Sequence, residues 1–133
     1  MQRLIVIVVV LVLVSIVIAG GWIIRDHLGG VRDAYALDWA SASVISFIDH
    51  HEGRVPKDWN DLKAEFDTLS KSDKSWTFDE IQNRVVIDFE SLSEWTKGTE
   101  QDSIIVRNVS GVRWSGPDPN DRIRECLSKY NGK

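Results

Sequence analysis

From Leu4 to Ile24 the chain reads LIVIVVVLVLVSIVIAGGWII, an apolar run interrupted only by Ser15, Gly20 and Gly21. At about 1.5 Å per residue, a helix over this run spans roughly 30 Å, the thickness of a bilayer's hydrocarbon core. The run predicts a transmembrane anchor over 4–24, preceded by a short tail, residues 1–3. From Val31 to His51 the pattern changes. Leu37, Ala40, Val44, Phe47, Ile48 and His51 recur at three- and four-residue steps, while Asp33, Asp38, Ser41 and Asp49 fill the other faces. This spacing predicts an amphipathic helix over 31–51. Gly29-Gly30 before it permits a bend, the anchor and this stretch together can make one long helix interrupted or bent there, and Gly53 after it is placed for a left-handed cap.

Val55-Pro56 is extended, because the residue before proline avoids the helical region. Asp58 can then cap a short helix over 58–69 that carries Trp59, Leu62, Phe66 and Leu69 on one face. Beyond Ser75 the period falls to two. Trp76 and Phe78 flank Thr77, and Val85, Ile87 and Phe89 alternate with Val86 and Asp88. With Gln82-Asn83 as a turn, Ile104–Val106 as a third strand and Val112–Trp114 as a fourth, this predicts a small antiparallel sheet over 76–114. Asp118-Pro119 opens a last helix over 119–130, with Ile123, Cys126, Leu127 and Tyr130 as its buried stripe. The predicted class is α+β: an anchor leading into an amphipathic helix packed on a small sheet, with a short C-terminal helix. Residues 25–133 form one exported domain.

The stretch Phe47–Leu62, FIDHHEGRVPKDWNDL, resembles an element of type IV pilin-like and type II secretion pseudopilin-like proteins. There a long N-terminal helix ends in a glycine, an apolar residue and a proline, before a short segment closing on Leu. The matching positions are Gly53, Val55, Pro56 and Leu62. The resemblance implies a helix whose first half crosses the membrane and whose second half packs on a small sheet. It also implies work through protein contacts in a cell envelope or a secretion-type assembly. Processed members carry a Gly just before the apolar segment and a Glu five residues into it. This chain has neither, so the resemblance extends to fold and topology and not to a filament.

Charge narrows the partners. The chain holds 16 basic and 20 acidic residues, and Arg3 is the only charged one before Arg25. The domain is therefore acidic and has no basic stripe, which argues against nucleic acid and against adhesion to anionic lipid. A short N-terminal tail of this kind normally stays in the cytoplasm while the rest is exported, so the expected topology is N-terminus cytoplasmic and domain periplasmic or extracellular. Membrane lipid and an envelope protein are the expected partners. The alternative is a secreted binding module released by signal peptidase after Ala19, since Val17-Ile18-Ala19 is an acceptable cleavage sequence. A small membrane-tethered hydrolase is a third reading. Cys126 is the only cysteine, which excludes an intrachain disulfide.

Candidate chemistry is sparse. His50, His51 and Glu52 form the one cluster with metal-ligand types. Successive helical residues point about 100° apart, so the two imidazoles do not converge, and no HEXXH spacing is present. No metal, cofactor or small-molecule ligand is inferred. Serine, histidine and aspartate are all present, but no G-x-S-x-G elbow exposes a nucleophile. Cys126 has the spacing of a core thiol. Asp79, Glu80, Asp88 and Glu90 read as a solvated rim rather than a carboxylate pair. Asn108-Val109-Ser110 matches a glycosylation sequon. Of six tryptophans, Trp39 lies off the main stripe of its helix, and Trp95 and Trp114 fall in or near loops. These three are the candidate partner contacts. No catalytic residue is assigned.

Overall fold

The computed structural model describes residues 2–71, 73–97, 103–112 and 115–131, without the side chains of residues 2–9 and 22–28. It is an α+β structure. Helix α1 is Gln2–His50, α2 Trp59–Leu69, α3 Phe78–Arg84, α4 Phe89–Thr96 and α5 Pro119–Asn131, with strands β1 (Val85–Ile87) and β2 (Val106–Asn108). The chain divides into two compact units, one ending at Arg32 and the other beginning at Asp33. The anchor segment and the amphipathic stretch are one helix, with Gly29 and Gly30, where a bend or interruption was allowed, both within α1. Among the described residues no helix is long and apolar enough to cross a membrane. The side chains described within the predicted anchor are those of 10–21, and the rest of that segment lies outside them.

In the second unit α1 is the central element. No residue from Ala36 to Ile48 is exposed, so the helix is covered on every side rather than along one face. Its partners are Leu62 and Phe66 of α2, Val85, Ile87 and Val106 of the sheet, and Ile123, Cys126 and Leu127 of α5, all in one buried cluster. The polar positions of its sequence are reconciled with burial in two ways. Ser41 and Ser43 donate their hydroxyls to the carbonyls of Asp38 and Trp39 in the same helix, at 2.9 and 3.0 Å. Asp33 and Asp38 pair with Arg84 and Arg122. Two acids from the other faces of the helix therefore hold α3 and α5 to α1.

The helix stops at a left-handed turn. Gly53 N donates to Ile48 O at 2.9 Å, with Glu52 at φ 55° and Gly53 at φ 89°, so the last carbonyls of α1 are satisfied as in a Schellman cap. Asp58 then accepts from Asn60 N at 2.7 Å and Asp61 N at 3.3 Å to start α2.

The region expected to form a four-stranded sheet differs most. Phe78–Arg84 is helical, so Trp76–Phe78 is not a strand and Gln82-Asn83 is not a turn. Thr77 and Glu80 form a reciprocal capping box, which fixes a helix start against the alternation of Trp76 and Phe78. Phe89 belongs to α4, whose N-cap Asp88 accepts from Ser91 N at 2.9 Å. The strand signal survives only in Val85–Ile87. It pairs antiparallel with Val106–Asn108 in the register Val85↔Asn108, Val86↔Arg107 and Ile87↔Val106. The third strand thus begins two residues later than expected. Of the expected fourth, Val112 is outside any strand and residues 113–114 lie outside the described residues.

A short sheet needs support at its free edge, and α5 supplies it. Asn120 Oδ1 accepts from Ile105 N and Val106 N, both at 2.8 Å, and Nδ2 donates to Val106 O at 3.0 Å. The side-chain amide acts as a piece of a third strand. Replacing Asn120 by Ala leaves buried backbone groups without partners, and the expected loss is about 2–3 kcal/mol. Urea denaturation of the full chain in detergent measures it. A loss below about 0.5 kcal/mol, the scale of an ordinary surface change, contradicts the pinning role.

Candidate functional site

The first unit carries the least expected surface for a protein in water. Every large apolar residue described there from Val10 to Ile18 is exposed, from 49% at Val14 to 73% at Val17. Because 3.6 residues complete a turn, a run of nine covers the whole circumference of the helix. An all-round apolar helix needs an apolar environment, which is the interior of a large protein or a bilayer. Ser15, the one hydroxyl within the run, donates to Leu11 O at 2.8 Å, so it needs no outside partner. At Gly20, Gly21 and Gly29 a Cβ would meet nothing within 4 Å.

In the second unit the side chains with chemical potential are spent on structure. His50 and His51 diverge as helical geometry requires. His51 stacks on Phe47 with ring centroids 3.9 Å apart, and its Nδ1 hydrogen-bonds Phe47 O at 2.9 Å. His50 Nδ1 meets Glu65 Oε2 at 2.9 Å, and Ser46 donates to the same oxygen at 2.6 Å. A serine, a histidine and a carboxylate thus do come together, but in an order unsuited to nucleophilic catalysis. The carboxylate stands between the other two, so the serine proton faces Glu65 and not the imidazole. What the cluster does is satisfy Glu65, which is only 7% exposed, and tie α2 to α1. The sequence reading missed Glu65 because it sits beside Leu62 and Phe66 on the face given to core residues. Glu52 occupies the left-handed turn rather than a ligand position. Among the described residues no group of three or more His, Cys, Asp or Glu is placed to hold a metal ion.

Cys126 is buried in α5, with Sγ 3.3 Å from Asp49 Oδ1, which also accepts from Tyr130 OH at 3.0 Å. Burial first, then the neighbouring carboxylate, pushes the thiol from its ordinary 9.0 to about 11. The thiolate is the nucleophile, and little of it exists near neutrality. Folded protein at pH 7.5 should therefore resist iodoacetamide and react once denatured. Equal rates in both states contradict the buried thiol. A folded-state pKa above the unfolded one also gives stability that is complete below about pH 9 and declines toward pH 11.

The acids around the sheet are helix starters. Glu80 closes the capping box on Thr77, Asp79 and Glu90 lie in the first turns of α3 and α4, and Asp88 caps α4. The backbone N–H and hydroxyl of Ser91 hold the Asp88 carboxyl below its usual range. Asn108, the acceptor of the sequon, is 2% exposed and donates through Nδ2 to Val112 O, so the folded domain closes it to glycosylation.

Of the candidate contact tryptophans, the two that the structure describes turn inward. Trp95 is in α4, not a loop. It is buried, donates from Nε1 to Ser103 Oγ at 2.8 Å, and lies under the Arg124 guanidinium at 4.4 Å. Trp39 is half-buried against Phe66, with centroids 5.7 Å apart. Trp95 offers a partner almost no surface. Trp114 lies outside the described residues.

The described residues of the second unit include open clefts. One of about 590 Å³ is bounded by β2, the 109–112 turn and the start of α5, and includes Leu37, Ile104, Val109 and Val112. Another of about 480 Å³ adjoins Asp33, Asn83, Arg84 and Ser110. Comparison with protein-family models, curated proteins and solved structures finds no match for this chain.

Proposed function

We propose that this chain is a single-pass, membrane-anchored, non-enzymatic protein whose exported domain works through protein contacts in the cell envelope. The observation that carries the reading is the helix surface from Val10 to Ile18, apolar and exposed around its whole circumference. Its sequence continues apolar on both sides, from Leu4 to Ile24. Leaving such a surface in water costs about 25 cal/mol for each Å². A bilayer removes that cost along the apolar run, and the back-bonded Ser15 suits hydrocarbon. Arg25 and the mixed composition after it mark where the chain re-enters water.

The pseudopilin-like reading belongs to the same proposal. It is supported by an α1 that ends at His50 and is followed by Gly53, Pro56 and a short helix bearing Leu62. The domain here departs from a helix laid on one sheet, since α1 is enclosed by α2, the two-stranded sheet and α5. The non-enzymatic reading is supported by the use of His50, His51, Glu65, Cys126 and Asp88 in packing and capping.

The test is N-terminal sequencing of the mature chain recovered from membranes. The expected result is a chain that retains Leu4–Ile24. A mature chain beginning at Gly20 contradicts the anchor and supports a secreted module cut after Ala19.

A further inference from the structure

We draw no further inference here: the strongest candidate, the cleft between β2, the 109–112 turn and the start of α5, has in its wall a buried Asn108 whose Oδ1 has no partner among the described residues, yet that oxygen is itself closed off and nothing in the structure shows what covers the cleft.

Discussion

Replacing Phe66 or Leu62 by alanine should lower the stability of the domain by about 2–5 kcal/mol, the range for emptying a fully packed core position. Leu62 is completely buried and Phe66 nearly so, and together they form the contact face of α2. Phe66 carries additional ring contacts. It lies 5.7 Å from Trp39 on α1 and 5.5 Å from Phe78 on α3, so its loss opens a void bordered by three helices. Helix α2 is eleven residues long, too short to be stable without that packing. Urea titration of the full-length chain in mild detergent, followed by tryptophan fluorescence, provides the measurement. Losses below about 1 kcal/mol in both variants, less than half the expected minimum, mean that α2 is not docked as described.

The Gly53→Ala substitution should cost about 2–4 kcal/mol, from a backbone penalty and a collision that add. At φ 89° an L side chain is strained before any neighbour is considered. A Cβ there would also stand 2.5 Å from Tyr130 Cβ and 2.7 Å from Tyr130 Cγ. The first of these atoms is fixed to the backbone of α5 and cannot rotate away. Gly111 separates the two effects, since it has φ 72° and open space where its Cβ would be. Gly111→Ala should therefore show the backbone penalty alone, about 1–2 kcal/mol. If both variants lose the same amount, the close approach of Gly53 to α5 is not real. Tyr130→Ala in the Gly53→Ala background should recover part of the loss, because it removes Cγ and the ring beyond it.

What the sequence made legible was governed by local rules. Asp58 before Trp59, Pro119 at the start of α5 and Gly53 at the end of α1 each act within one helical turn, and each stands where that logic puts it. The apolar stripes of α2 and α5 were legible for the same reason. The sheet was less so, because its alternation is three residues long and its neighbours imitate it. Phe89 continues the rhythm of Val85 and Ile87, yet it also starts the helical series Phe89, Leu92 and Trp95. The cap at Asp88 decides between the two. Likewise Thr77-x-x-Glu80 is a readable helix start that the alternating aromatics outweighed.

The partners of the charged positions on α1 were illegible for a different reason. Asp33 and Asp38 have the helical spacing of a wet face, and only the arrival of Arg84 and Arg122 covers them. Those partners lie 51 and 84 residues away in sequence, and no local pattern encodes that pairing. The Glu65 cluster follows the same rule, with Ser46 and His50 one turn apart on α1 and their shared acceptor on α2. Its chemistry becomes clear only from the order of contacts. The same three residue types in the order serine, histidine, carboxylate would have carried a catalytic reading.

The central claim is that the N-terminal segment is held in a bilayer and not merely attached to one. Alkaline carbonate extraction of membranes containing the full-length chain tests this directly, because it strips peripheral proteins and leaves spanning helices in place. The chain should remain in the membrane pellet. A companion with Leu11, Val14 and Ile18 all changed to Asp should pass to the supernatant, since each acid near the middle of a span costs about 2.5–3.5 kcal/mol. Release of the unaltered chain by carbonate would contradict the account.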